Sequence, residues 1–234
     1  MDLPILYEDE NVVAIHKPAG LITHSDGRTE ESTAEDWFNE RYPKSGGGYV
    51  HRLDRDTSGV LLFAKNLTAY EFLRKAFHDR EVQKTYVAVV HGAVKAKKGT
   101  IDFDIGRSRS DFRLRSAQPK AKGRLREALT RYEVVDTTEE NGKLYSLLVV
   151  KPETGRTHQI RVHLKAIHHP IVGDKLYAPN QVQALGLERL ALHAYELDLP
   201  LPEGGRVVAR APLGEELYQG IAHFPKGSEA FASI

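Results

Sequence analysis

The apolar residues of this chain form short runs that are rich in β-branched side chains. These runs cover residues 12–15, 59–64, 84–90 and 144–150. Pro18, Gly92 and Pro152 follow the first, third and fourth runs within a few residues, and such residues end extended structure. The length and composition of the runs therefore predict four β-strands.

Apolar positions spaced three and four residues apart predict helices at three other places. The clearest helix is expected directly after Thr68, which has the spacing of a capping box with Glu71. An earlier helix is expected after Thr33, with Asp36 three positions on. A later helix is expected after Thr157, which we interpret as its N-cap.

The order of these elements bounds the fold class. Strands outnumber helices and do not alternate regularly with them, which favours an α+β fold with a large mixed or mainly antiparallel sheet over a doubly wound fold. We found no internal repeat and no linker-like segment. The expectation is one domain spanning residues 1–234, its sheet flanked by helices and loops.

The composition is that of an ordinary globular protein. The 234 residues are 41% hydrophobic and include no cysteine, which excludes disulfides and thiolate nucleophiles and fits a reducing compartment. No apolar run approaches the roughly 20 residues that span a bilayer, and the acidic start MDLPILYEDE lacks the layout of a signal peptide. We expect a cytoplasmic protein without membrane contact, and a monomer because no long apolar seam is present.

The charge is distributed unevenly along the chain. Residues 95–131 contain twelve Lys and Arg against four Asp and Glu, a net charge of +8, whereas the whole chain carries only +1. Such a region attracts polyanions, so a nucleic-acid contact surface is the preferred interpretation. The alternative is a solvated hairpin whose charges pair elsewhere in the fold.

One short segment concentrates ionisable groups against a predicted strand. Residues 51–66 read HRLDRDTSGVLLFAKN, so His51, Arg52, Asp54 and Arg55 lie just before the apolar run. Holding charges near low-dielectric protein is costly, and a loop that only had to be soluble could use Ser, Asn or Gly there instead. Taken alone, the pattern also fits a charged turn whose members pair with one another.

Five sequence pieces, in a fixed order, carry a resemblance to a known family. They are HKPAGL (16–21), HRLDRDTSGVLLFAKN (51–66), KTYVAVVHG (84–92), ETGRTHQIRVHL (153–164) and HPIVGDKLY (169–177). Together they resemble the RluA-type family of RNA pseudouridine synthases, over roughly residues 5 to 200. The resemblance implies a pseudouridine-synthase-type catalytic domain. It also implies conversion of a uridine within an RNA chain, in transfer RNA or large-subunit ribosomal RNA, to pseudouridine.

The resemblance assigns three catalytic residues. Asp54 is the carboxylate that attacks the nucleotide or stabilises a cationic sugar, much as glycosidase carboxylates do. Tyr86 stacks against the flipped uracil and takes part in proton transfer at carbon 5. Arg161 is the cation expected beside Asp54, since a neighbouring guanidinium lowers a carboxylate pKa by roughly one to three units. We interpret Asp56 as a turn residue.

Further residues are expected to bind the RNA. Arg52 is implied to open the RNA and hold the phosphate of the flipped nucleotide, and His51 to support the loop without transferring protons. The remaining candidates are basic residues of the same motifs and of the 95–131 region: Arg113, Arg115, Lys120, Lys122 and Arg156. No metal or cofactor is expected, because Walker, GxGxxG and HExxH motifs are lacking and His158 and His163 do not share a helical face.

The sequence also departs from many members of the family. The match begins within the first few residues, so we expect no small S4-like RNA-binding domain ahead of it, and target choice would rest on residues 95–131. Two other functions stay open at this point. One is a non-catalytic RNA-binding protein on the same fold, and the other is a nucleoside or glycoside hydrolase that uses Asp54.

Overall fold

A computed structural model describes residues 1–25, 27, 31–109, 114–117, 121–181 and 183–231. Within this part of the chain the strands are β1 (Ile5–Glu8), β2 (Val12–Lys17), β3 (Gly48–Tyr49), β4 (Ser58–Ala64), β5 (Gln83–His91), β6 (Lys98–Asp102), β7 (Ile105–Ser108), β8 (Arg115–Ala117), β9 (Ala121–Arg126), β10 (Leu129–Glu140), β11 (Lys143–Pro152), β12 (Leu192–Pro200) and β13 (Arg206–Arg210). The helices are α1 (Ala34–Arg41), α2 (Leu67–His78), α3 (Gln159–Ala166), α4 (Glu215–Ala222) and α5 (Gly227–Phe231). None of the described helices is long and apolar enough to span a membrane.

The chain divides into two compact units. The first contains Met1–Lys84 and His193–Pro212, and the second contains Thr85–Leu192 and Leu213–Ile234. Strands in both units pair mainly antiparallel, with β4 and β12 parallel, which confirms the predicted α+β class with a mixed sheet. The single-domain expectation stays a prediction.

In the first unit the strand order is β1, β2, β4, β12, with β3 on β4 and β13 on β12. Every residue of β4 is buried, because successive side chains point to opposite faces and both faces are covered. On one face Leu62 belongs to an apolar cluster with Leu73 of α2. On the other, Phe63 stacks on Phe38 of α1 with ring centroids 4.7 Å apart.

The helix starts of this unit test the predicted caps. Thr33 and Asp36 form the predicted capping box at α1, with each side chain bonded to the other's backbone N–H. The predicted cap of α2 is wrong, since α2 begins two residues earlier and Asn66 accepts the Ala69 N–H at 2.8 Å. Asparagine is a strong N-cap, and Asn66 has the extended backbone typical of that position, so the helix begins before Thr68 is reached.

In the second unit β5, β11, β10 and β6 form an antiparallel sheet in that order. The basic region continues into a separate three-stranded sheet, with β7 between β8 and β9. Ile105 and Ala117 of this small sheet pack with Val162 of α3 and with Tyr177. Paired antiparallel strands of the basic region are therefore anchored on α3.

Candidate active site

Asp54 lies in the loop between β3 and β4, and its side chain is partly buried. Its carbonyl accepts the Thr57 N–H at 3.1 Å, which closes a tight turn over Arg55 and Asp56. Arg55 forms an ion pair with Glu31, which lies outside the charged cluster, with Nη2 and Oε2 2.7 Å apart. The simplest alternative, a turn whose charges only satisfy one another, does not account for this ion pair, and Asp56 takes the turn position expected of it.

A single hydroxyl holds the residue just before Asp54. Thr23 is buried, and its Oγ1 donates to the Leu53 carbonyl at 2.8 Å and accepts the Leu53 N–H at 3.2 Å. Leu53 is itself buried, while Arg52 beside it is exposed. The backbone on the N-terminal side of Asp54 is thereby fixed to the chain segment around residue 23.

A buried lysine holds the residue just after Asp54. Lys17 is fully buried, and its Nζ donates to the carbonyls of Pro18, Leu21 and Arg55 at 2.8 to 3.0 Å. The Gly20 N–H donates to the same Arg55 carbonyl at 2.9 Å. The HKPAGL piece therefore forms a turn that binds the Asp54 loop. The available sequence signal was a lysine at the end of an apolar strand, just before Pro18 and Gly20. The sequence-based prediction assigned no role to Lys17.

His51 supports the start of the same loop. Its Nε2 accepts the Leu62 N–H at 3.1 Å where β3 leaves β4, and its ring stacks on Phe77 with centroids 5.0 Å apart. The bond requires a neutral ring with the proton on Nδ1. Burial lowers the pKa of His51 to about 3, and the positive charge of Lys84 adds to this effect. The geometry agrees with the supporting role expected for His51.

This histidine should make the protein sensitive to acid. An unfolded chain takes up a proton on His51 near pH 6.5, whereas the folded protein resists it down to about pH 3, so stability falls as pH drops through that window. At about pH 5 the expected loss from His51 is about 2 kcal/mol. Urea unfolding of wild type and His51→Gln at about pH 7.5 and pH 5 measures it. The glutamine keeps an acceptor for Leu62 but does not titrate, so equal pH losses in both proteins would contradict the assignment.

In the second unit Tyr86 lies near the start of β5, where it pairs with Val150 of β11. Its side chain is partly buried, whereas Val87, Ala88, Val89 and Val90 after it are fully buried. Tyr86 therefore lies at the boundary between the fully buried part of β5 and its more exposed start.

Arg161 of α3 is held by a carboxylate that the sequence analysis did not identify. Its Nε and Nη2 donate to the two oxygens of Asp174 at 2.8 and 2.7 Å, and both side chains are about 95% buried or more. Asp174 Oδ1 also accepts the N–H groups of Leu176 and Tyr177. A bidentate pair fixes the plane of a guanidinium, so Asp174 sets the orientation of Arg161. Asp174 lies within HPIVGDKLY, which was the available signal.

Tyr177 connects this ion pair to its surroundings. The Arg161 guanidinium carbon lies 5.1 Å from the Tyr177 ring centroid. The Tyr177 hydroxyl hydrogen-bonds to His158 Nδ1 at 2.8 Å and accepts the Arg115 N–H at 3.0 Å. The helix carrying Arg161 is therefore tied through Tyr177 to strand β8 of the basic region.

The loop before α3 is held by Gln159, and the predicted Thr157 cap is wrong. The helix begins at Gln159 after His158, whose backbone is left-handed with φ of 55° and whose side chain makes no capping bond. Gln159 Oε1 instead accepts the Arg156 N–H at 2.9 Å and the Thr154 hydroxyl at 2.7 Å. Arg156 also donates from Nε to the Glu127 carbonyl. One nitrogen of this predicted RNA-binding side chain is therefore already hydrogen-bonded within the protein.

The remaining predicted RNA-binding residues divide into two groups. Arg115 is partly buried and Lys122 is exposed, on strands of the same small sheet. Arg113 and Lys120 lie outside the described residues.

Among the residues that are described, no group of three or more His, Asp or Glu is arranged to hold a metal ion. His163 instead hydrogen-bonds to Thr130 and to the Phe103 carbonyl.

Comparison with known sequences adds a decisive observation to this geometry. Residues 11–166 match the family described as RNA pseudouridylate synthase. The chain belongs to the RNA pseudouridylate synthase family. This match includes Asp54, Tyr86 and Arg161 but ends before Asp174. The resemblance inferred from the five motifs is confirmed, and so is the predicted enzyme class, an isomerase acting on RNA.

Two curated relatives and one solved structure show how far this similarity extends. Ribosomal large subunit pseudouridine synthase D of Borreliella burgdorferi is 38% identical over 84% of this chain and 61% of its own length. The tRNA pseudouridine synthase C of Haemophilus ducreyi is 34% identical over 94% of each chain. The human protein RNA Pseudouridylate Synthase Domain Containing 1 is 25% identical, with a TM-score of 0.74 over 100% of this chain and 96% of its own.

Proposed function

We propose that this protein isomerises a uridine of a structured RNA, in transfer RNA or large-subunit ribosomal RNA, to pseudouridine. The observation that carries the proposal is the family match across a chain whose Asp54 loop is fixed on both sides, by Thr23 and by Lys17. The names of the relatives support both RNA classes, one ribosomal and one transfer RNA. Of these two relatives, the transfer RNA enzyme shares nearly its whole length with this chain, so transfer RNA is the first substrate to test.

The proposed reaction is a redox-neutral isomerisation. The bond between N1 of uracil and C1′ of the ribose breaks, the base turns, and C5 bonds to C1′. The proton on C5 then leaves and N1 gains a proton, so substrate and product have the same atoms. Asp54 is the proposed nucleophile, which attacks the nucleotide and leaves again when the new bond forms.

Two other residues are proposed to take part. Tyr86 would stack on the extruded uracil, exclude water from it and assist removal of the C5 proton. Arg161 would supply fixed positive charge to the reacting nucleotide, and Asp174 supports this role by fixing the guanidinium. Base extrusion costs a few kcal/mol, and the exposed Arg52 would offset it by binding the flipped nucleotide's phosphate.

The test is tritium release from RNA labelled at C5 of uridine. Unmodified transfer RNA transcripts and large-subunit ribosomal RNA transcripts are assayed separately, because loss of the C5 label reports formation of the new carbon–carbon bond. Release from either pool with the RNA left intact supports the proposal. Salt-sensitive binding without release from both pools would favour a non-catalytic RNA-binding protein, and free uracil as product would favour a hydrolase.

A further inference from the structure

We propose that Arg107, Arg115 and Lys122 form a binding row for the phosphates of the RNA backbone. The proposal rests on the proposed function, because it takes the bound polyanion to be the RNA substrate. Arg107 was not among the residues that the sequence indicated. It emerges from the strand pairing of the small sheet β8, β7, β9.

The register of this sheet places three cations side by side. Arg107 lies in the middle strand, directly opposite Arg115 of β8 and directly opposite Lys122 of β9. Directly opposed residues of antiparallel strands share one face, with Cβ atoms about 4.5 to 5.5 Å apart. Two guanidinium groups and one ammonium are thus brought within reach of the same one or two phosphate groups.

The close approach of β9 to β7 fixes the third member of the row. A Cβ atom added to Gly106 would lie 2.8 Å from the Lys122 carbonyl oxygen, so only glycine allows this spacing. The β9 register shifts just beyond Lys122, where Gly123 has a φ of +75°. The bulge places Lys122, and not a later residue of β9, opposite Arg107.

The charges of the row are uncompensated within the described part of the protein. None of its three side chains forms an ion pair with a described carboxylate, whereas other cations of the basic region do: Lys98 pairs with Glu133 and Arg131 pairs with Glu153. Like charges directly opposite one another destabilise a sheet. A phosphodiester backbone relieves that repulsion, because each phosphate accepts charge-assisted hydrogen bonds from several cations at once.

The position of the row within the second unit relates it to the proposed catalytic arginine. The neighbouring pair on the same face, Ile105 and Ala117, is buried against Val162 and Tyr177. The Arg115 N–H donates to the Tyr177 hydroxyl, and the Tyr177 ring lies 5.1 Å from the Arg161 guanidinium carbon. An RNA strand bound by the row is therefore close to Arg161, which favours the RNA substrate as occupant over free phosphate.

The experiment compares two triple variants that remove the same charge. Arg107→Gln, Arg115→Gln and Lys122→Gln are combined in one protein. The control combines Arg206→Gln, Arg210→Gln and Lys75→Gln, which also removes two arginines and one lysine. Each control residue is ion-paired at the surface, with Asp198, Glu196 and Asp79. Circular dichroism and thermal unfolding first establish that both variants are folded.

Binding of the two transcript pools is then measured across a range of salt concentrations, with and without inorganic phosphate as competitor. Each lost phosphate contact flattens the slope of log affinity against log salt by about one, so the row variant, which loses contacts to one or two phosphates, should have a slope flatter by about one to two. Its affinity at about 0.15 M salt should fall on the order of tenfold or more, while the control keeps the wild-type slope. Inorganic phosphate should compete only weakly, since it offers a single phosphate.

Three results would overturn the proposal. An unchanged salt slope in the row variant would place the RNA elsewhere. An equal change of slope in both variants would show that the effect comes only from the overall charge of the protein. Competition by phosphate as strong as by RNA would instead make the row a free-anion site. Tritium release by the wild-type protein is assayed in parallel, so a failure of the proposed function shows there while the salt slopes still decide the row.

Discussion

Replacing Asp54 by asparagine is expected to abolish pseudouridine formation without unfolding the protein. Asparagine has the same shape but is a far weaker nucleophile than a carboxylate, so the covalent step has no group to perform it. The turn is preserved, because the Thr57 hydrogen bond and the bonds to Leu53 and Arg55 all involve backbone atoms or other side chains. Tritium release should fall at least about a thousandfold.

The matched control is Asp56→Asn, two residues away in the same turn. Asp56 is exposed and has no proposed role in the reaction, so this variant should keep the wild-type rate. RNA binding by Asp54→Asn should stay within about twofold of wild type, since one carboxylate is removed from a surface that binds through cations. Normal turnover by Asp54→Asn, or an equal loss in Asp56→Asn, would remove Asp54 from the nucleophile role.

Replacing Arg161 by methionine is expected to cost both activity and stability. The change leaves the Asp174 carboxylate buried without its cation, and breaking a buried ion pair in this way typically costs about 3 to 5 kcal/mol. Loss of activity in this variant alone would therefore be ambiguous. Urea unfolding and tritium release must be measured on the same preparations.

Combining Arg161→Met with Asp174→Asn separates the two effects. The asparagine oxygen can still accept the N–H groups of Leu176 and Tyr177, and the uncompensated charge is gone. The double variant should regain most of the lost stability but none of the activity. Activity that returns together with stability would show that Arg161 is only a structural residue. A single variant as stable as wild type would show that the pair does not matter to the fold.

Local patterns in the sequence were sufficient for much of the secondary structure. The apolar run at residues 59–64 indicated the strand β4, and the Thr33 and Asp36 pair marked the start of α1. These signals succeed because a strand's alternation and a helix cap depend on residues only a few positions apart. The predicted Thr68 cap was wrong because Asn66 caps α2 two residues earlier, and the predicted Thr157 cap was wrong because α3 begins after the left-handed His158 with no side-chain cap.

The sequence by itself determined the family, the α+β class and the motifs that carry the proposed catalytic residues. Only the tertiary structure showed that Thr23 holds Leu53, that Lys17 binds the Arg55 carbonyl, and that the register aligns Arg107 with its two neighbours. The partners in these contacts are separated along the chain by loops and whole strands. No local spacing encodes them, because they are set by which segments the buried core brings together.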